Sequence, residues 1–393
     1  MTDKRPKGST LEVRQLGQIR EGSVTFGDLT ILVGGQASGK SVFLQTLKLI
    51  LDRRPILDAL EKHGYTWNNP RDVLELFFGE SMANLWSEAT EVWWNEDIQL
   101  LEIITSRRGT REAKNKERLF YIPAQRVVTM AQGWPRPFHS FDTGDPYVLK
   151  AFSETLRLLM EKEPGNGPAP VAIFPRQGRI KEAIRDTIER SIFYGATIEL
   201  DQARLRKRFM LRLGDSRLPF MIWSAGQKEF MPLLLSLYHL TPPAKISTRD
   251  AIEWVVIEEP EMGLHPSAIQ TVMLLCLELL SRGYRVAMTT HSPVLLELAW
   301  AFNQLVEAGA TPDTLFELFG LKQKSPALKE VFQICLKDKK FKTYYFRREE
   351  QDIYIQDISH LDPGSNDPAE AYWGGLSEFA SRAGEVVSKL AGQ

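Results

Sequence analysis

The chain has 393 residues, 43% of them hydrophobic, with 49 Lys and Arg against 50 Asp and Glu. This length supports two lobes or one domain with a large insertion, and the balanced charge excludes a uniformly basic nucleic-acid binder, so any such surface must be a local patch. Two cysteines, Cys276 and Cys335, offer neither a disulfide framework nor zinc spacing; Met1–Lys7 has no apolar core of a signal peptide, and no run approaches the roughly 20 apolar residues of a membrane helix, so a cytoplasmic protein without membrane contact is expected.

In chain order, strands are predicted at 11–14, 23–26 and 29–33, with Gly22 and Gly27 as turns. A glycine-rich loop leads into a helix over 40–52, with Val42, Phe43, Leu44, Leu47 and Leu51 apolar. Residues 53–195 read as an inserted, mainly helical lobe, with helices near 56–63, 71–103 and 147–162 and a Pro- and Gly-rich loop at 164–175. Strands return at 196–200, 209–213 and 218–222, the last two joined by a Gly214-Asp215-Ser216 turn. Helices at 227–240 and 267–281 then alternate with buried strands at 253–257 and 285–289, the pattern of a partly parallel sheet covered by helices. The tail adds a strand over 351–359 and a helix over 370–390, weakened by Gly374 and Gly375. The expected division is 1–52, 53–195 and 196–393, the first and last parts forming one core.

Three motifs carry chemistry. Gly34-Gly35-Gln36-Ala37-Ser38-Gly39-Lys40-Ser41 matches the phosphate loop G-x-x-x-x-G-K-[ST], placed between an apolar strand and an amphipathic helix. Its glycines let backbone N–H groups wrap a phosphate, and the helix N-terminus adds partial positive charge. Lys40 is expected to reach the β- and γ-phosphates of ATP, and the Ser41 hydroxyl to ligate Mg²⁺. Trp254-Val-Val-Ile257 is a buried strand from which Glu258 and Glu259 emerge at the C-terminal end, where ligands bind in open parallel sheets. Glu258 would hold the metal, through water or directly, and Glu259 would act as general base on water. Alone, an apolar run ending in Glu-Glu is more often a strand entering a solvated turn; the upstream phosphate loop gives it weight. The third motif, Ser224-Ala225-Gly226-Gln227, would by itself be an ordinary helix cap.

The order of phosphate loop, S-x-G-Q, paired acids and Thr289-Thr-His-Ser292 resembles the ABC ATPase superfamily, and within it the RecF/SMC/OLD-like branch, including ATPase subunits of anti-phage systems such as PARIS and Septu. The resemblance covers residues 11–50 and 195–300. It implies an α/β P-loop fold with N-terminal antiparallel strands and a mixed core sheet. It also implies a nucleotide site spanning Gly34–Val42 (Gly34, Gly35, Gln36, Ala37, Ser38, Gly39, Lys40, Ser41 and Val42) and capped in trans by Ser224, Ala225, Gly226 and Gln227 of a second copy. His291 would contact the γ-phosphate, and Gln125, with Gln132 as competitor, would sense the metal. The sequence departs from the family pattern at Gln36-Ala37, at Trp223 and at Glu258, which stands where Asp is usual. These departures bear on the hydrolysis rate, and slow turnover would suit a switch.

The resemblance further implies a homo-oligomer that controls a separate effector protein, since the residues after His291 are too few for the nuclease domain of OLD-type proteins. Basic runs at 107–116, 204–208 and 337–342 are candidate DNA contacts, although such runs are usually solvated faces. A RecF-like DNA repair factor and a scaffold that binds ATP with little hydrolysis are the alternatives; a transporter subunit is disfavoured by the long insertion and by Glu259–Pro266.

Overall fold

The computed structural model describes residues 9–95, 98–99, 116–162, 170–201, 207–242, 248–249 and 251–391. The chain opens with the antiparallel pair β1 (Thr10–Leu16) and β2 (Ile19–Thr25), which turn at Gly17 with φ 58°. Next comes β3 (Leu29–Gly34), all six residues buried. Helix α1 runs from Lys40 to Lys62, beyond the expected end at residue 52. Asp52 leaves helical geometry (φ −125°, ψ 23°), and Pro55 fits because the second segment has only just begun, where a missing N–H costs least.

Residues 53–195 hold strands of both sheets as well as helices. The helix expected over 71–103 ends early: α2 (Pro70–Phe78) starts in an Asn69–Asp72 capping box and stops at Gly79 with φ 113°. A 3₁₀ turn follows (Met82–Leu85), then β4 (Glu91–Trp94) and β5 (Ile98–Gln99). In β4, Val92 and Trp94 are buried while Glu91 and Trp93 are partly exposed; this period-2 aromatic pattern favours strand over helix. The fully buried β6 (Leu119–Ile122) precedes a 3₁₀ turn (Arg126–Thr129), the small hairpin β7 (Met130–Ala131) and β8 (Trp134–Pro135), α3 (Tyr147–Glu161), β9 (Val171–Phe174) and α4 (Glu182–Ile188).

Strands β10 (Thr197–Asp201), β11 (Arg208–Leu213) and β12 (Ser216–Pro219) follow, and residues 220–222, expected to extend the last strand, form a 3₁₀ turn. Then come α5 (Ala225–Leu240), β13 (Trp254–Glu258), α6 (Pro266–Ser281), β14 (Arg285–Thr289), α7 (Pro293–Glu307), α8 (Pro312–Leu318) and α9 (Pro326–Asp338). The tail contains β15 (Phe341–Glu349), which the sequence did not announce, and β16 (Asp352–Asp357). The helix expected over 370–390 is two, α10 (Pro368–Ala371) and α11 (Glu378–Ala391), parted by Gly374 and Gly375 at φ 66° and 85°.

Ten strands make the main sheet in the order β5-β4-β1-β2-β16-β15-β3-β14-β13-β6, and β12-β11-β10-β9 form a second, antiparallel sheet. In the main sheet, β3 is parallel to both β15 and β14, and β13 is parallel to β14 and β6. The architecture is the expected α/β one, with N-terminal antiparallel strands leading into a mixed sheet. Alternation splits the strands between two cores. Ile31 and Val33 of β3, Phe120 and Ile122 of β6 and Val255 and Ile257 of β13 face one; Leu32, Leu119, Tyr121, Trp254 and Val256 face the other. Helices α5 and α6 pack into the first core and α1 into the second, each large buried side chain contributing about 1.5–3 kcal/mol. Among the described residues, no helix is long and apolar enough to cross a membrane.

Candidate nucleotide site

The phosphate loop spans the gap between β3 and α1. Its shape needs backbone that side chains resist: Gly34 has φ 149°, Ala37 has φ 54° and Gly39, the N-terminal cap of α1, has φ 84°. A Cβ on Gly34 would lie 2.7 Å from the Phe346 carbonyl of β15, so this glycine also permits close strand packing. Lys40 folds back on its own loop, donating to the Gly34 carbonyl (2.9 Å), the Gly35 carbonyl (2.8 Å) and the Ser38 hydroxyl (3.1 Å). Burial pulls its pKa down to about 8, opposed by Glu259, Glu258 and Glu261. A cationic group thus sits on carbonyls that a bound phosphate would outbid.

The carboxylate pair leaves β13 at the sheet's C-terminal edge. Glu258 is 4% exposed, and burial pushes its pKa up, although the Ser41 and Tyr121 hydroxyls and the Ala124 N–H favour the charged form. Its Oε2 accepts from Ala124 N–H at 3.3 Å, while Oε1 is buried and makes no hydrogen bond of good geometry. An unsatisfied carboxylate oxygen beside the Ser41 hydroxyl suits a hard divalent cation. Glu259 adopts a left-handed backbone (φ 40°) that turns its side chain toward the loop. Its N–H donates to the carbonyl and hydroxyl of Thr289, both at 3.1 Å.

His291 follows β14, and its Nε2 lies 3.5 Å from Glu259 Oε1. The histidine loop is held by Glu261, whose Oε1 accepts from the Thr290 hydroxyl and the His291 N–H, each at 2.7 Å. Gln36, Ala37, Ser38, Gly39, Lys40, Ser41, Val42, Glu259 and His291 line one cavity of about 360 Å³. Its apolar end is made by Leu16 and Gly17 from the β1–β2 turn and by Met82 and Leu85 from the 3₁₀ turn. Those walls escaped the sequence reading because they come from segments distant in the chain and carry no motif.

Other candidates do not reach the cavity within one chain. Ser224 caps α5 and shares a capping box with Gln227; neither they nor Ala225 and Gly226 line the cavity. Ser224 and Ala225 are exposed. Gly226 packs so tightly on the Glu261–Gly263 loop that a Cβ would lie 2.6 Å from the Gly263 carbonyl. Gln125 is exposed, one residue beyond the Ala124 N–H that touches Glu258, and Gln132 is exposed on the β7–β8 hairpin at φ 52°. Sequence reasoning missed Arg126, buried beneath the carboxylate pair. The signal was a charged residue directly after an apolar strand and its Pro-Ala-Gln exit. The basic runs at 107–116 and 204–208 lie mostly outside the described residues.

Comparison with known proteins adds three findings. Similar solved structures include the SMC head domain from Thermotoga maritima, 12% identical, with a TM-score of 0.36 over 90% of this chain and 99% of that one. Another is an SmcHead bound to the C-winged helix domain of ScpA, 11% identical, with a TM-score of 0.38 over 90% and 97%. No curated protein matches the sequence. Residues 165–297, which hold the S-x-G-Q loop, the carboxylate pair and His291, match a family model described as "AAA domain, putative AbiEii toxin, Type IV TA system".

Proposed function

We propose that this protein binds and hydrolyses ATP with Mg²⁺, each site being completed by Ser224, Ala225, Gly226 and Gln227 of a second copy. The observation that carries this reading is a division of labour. Lys40, Glu259 and His291 meet in one cavity, whereas Ser224 and Ala225 of the S-x-G-Q loop stand exposed at a helix N-terminus that does not line it. A helix N-terminus attracts an anion, and since this one does not line its own chain's cavity, a phosphate held by a second copy is the anion it would meet.

In this reading the triphosphate displaces the Gly34 and Gly35 carbonyls from Lys40. Ser41 and Glu258 would hold the metal, which would supply charge neutralisation on the phosphates, and Gln125 would join them only by moving in from its exposed position. Glu259 takes a proton from water as its oxygen attacks the γ-phosphorus; the bond to the β–γ bridging oxygen breaks and ADP leaves. His291, beside Glu259, orients that water and contacts the γ-phosphate. Hydrolysis separates the copies, so ATP acts as a switch. We further infer that the switch controls a separate effector in anti-phage defence, a reading supported by the toxin–antitoxin description of the matching family.

The deciding measurement is the mass of Glu259→Gln with and without ATP. Pairing that appears only with ATP supports the composite site, and an unchanged monomer mass rejects it.

A further inference from the structure

Arg126 is 1% exposed and directly follows Gln125. Its guanidinium gathers backbone carbonyls from three elements. Nη1 donates to the carbonyls of Pro123 (3.2 Å) and Glu258 (2.7 Å), Nη2 to that of Glu259 (3.1 Å), and Nε to that of Glu229 (3.2 Å). Nε also lies 3.7 Å from the Glu229 carboxylate. Glu229 belongs to α5, the helix whose first turn carries the S-x-G-Q loop.

Two features make this more than packing. Glu259 holds a left-handed backbone that costs an ordinary residue energy, so something must enforce it. Its N–H is fixed by Thr289, and its carbonyl accepts from both Arg126 Nη2 and the Met262 N–H, each at 3.1 Å. Arg126 therefore grips the far side of the strained peptide. In addition, one rigid planar group joins that peptide to α5. A lysine ammonium, with three donors on a flexible stem, cannot span the same carbonyls in a fixed fork.

We propose that Arg126 is a positioning residue that holds Glu259 in its catalytic conformation and ties it to α5, so that a shift of α5 on engaging the second nucleotide is felt at the general base of its own site. This rests on the composite-site reading. Arg126 itself touches neither nucleotide in this arrangement; it acts through the Glu259 backbone. The tether's other end is the Glu229 carbonyl, and the Glu229 carboxylate, at 15% side-chain exposure, adds an opposing charge 3.7 Å from Nε.

The test compares full-length wild type, Arg126→Lys, Glu229→Gln and the double variant, measuring steady-state ATP hydrolysis, ATP affinity and melting temperature. Arg126→Lys should lower kcat at least about tenfold while ATP affinity stays within about threefold, because the phosphate loop is untouched. Glu229→Gln, which keeps the carbonyl bond to Nε and removes the charge facing the guanidinium, should lower kcat about threefold or more, and the double variant should be no slower than Arg126→Lys, since both weaken one tie. A kcat for Arg126→Lys within about threefold of wild type, or multiplicative losses in the double variant, overturns the proposal. Should Arg126→Lys fail to fold, Glu229→Gln decides: unchanged kcat at unchanged melting temperature overturns it. Failure of the composite site shows separately, as absent ATP-linked pairing in Glu259→Gln, and leaves these kinetic comparisons readable.

Discussion

His291 Nε2 stands 3.5 Å from Glu259 Oε1, the two side chains 33% and 32% exposed at the edge of the phosphate-loop cavity. They come from the ends of two parallel strands, β13 and β14, whose register sets Glu258 opposite Thr289. The pair therefore exists only because those strands are neighbours. It places an acceptor for a water proton beside a second polar group, with Lys40 lining the same cavity.

Glu259→Gln should retain ATP and lose turnover by about 10²–10⁴-fold, the usual worth of a general base. The amide keeps the shape and the backbone tie to Thr289 but cannot take a proton. Single-turnover hydrolysis of radiolabelled ATP checks this, and near-wild-type turnover would remove Glu259 from the mechanism.

ATP affinity should fall as pH rises above about 8, by up to about tenfold per unit. Burial lowers the Lys40 pKa to about 8, so the free protein loses its phosphate-binding cation above that point. Folding has the opposite sign. Between about 8 and 10.5 the unfolded chain keeps a proton that the folded one has lost, so the Lys40 contribution to stability rises with pH. Titration calorimetry from pH 7 to 9.5 should show the fall in wild type and a weak, flat response in Lys40→Met.

Gly226→Ala should cost about 1–3 kcal/mol of stability and lower turnover more than tenfold. The added methyl would lie 2.6 Å from the Gly263 carbonyl, a backbone atom that cannot swing aside. Either the N-terminus of α5 or the Glu261–Gly263 loop must move, and Glu261 anchors His291. Thermal melting with turnover assays checks both arms; an unperturbed enzyme would mean this contact is slack.

Asp52→Ala should destabilise the fold by about 3–5 kcal/mol, since it takes one of two carboxylate partners from the buried Lys48 and the acceptor from two backbone N–H groups. Lys48 and Asp52 are 3% and 0% exposed and 2.7 Å apart. Asp52 also accepts the N–H groups of Arg118 (2.6 Å) and Leu119 (3.0 Å), stitching the kink of α1 to β6. Burial opposes the charge on Lys48, and Glu117 and Asp52 more than offset it, so its pKa is raised. Denaturant unfolding measures the loss, and a change below about 1 kcal/mol would contradict the account.

The phosphate loop, the apolar strand before Glu258 and the S-x-G-Q cap could be read from the sequence because their demands are local. Glycines meet a backbone need at Gly34 and Gly39, four apolar residues make a buried strand, and Ser224 caps the helix that follows it. The residues that complete the cavity and support it were decided by tertiary structure. Strand β15 lies beside β3 although more than 300 residues separate Leu29 from Phe341, and nothing in its own sequence names that neighbour. The aromatic β4 looked like part of a long helix until its pairing with β1 used its alternating faces. Arg126 became a keystone only when β6, β13 and α5 brought Pro123, Glu258, Glu259 and Glu229 around it. Local sequence specifies what a backbone segment can do over a few residues, whereas strand order and burial depend on hydrophobic contacts that close long loops, and these become visible only in the folded chain.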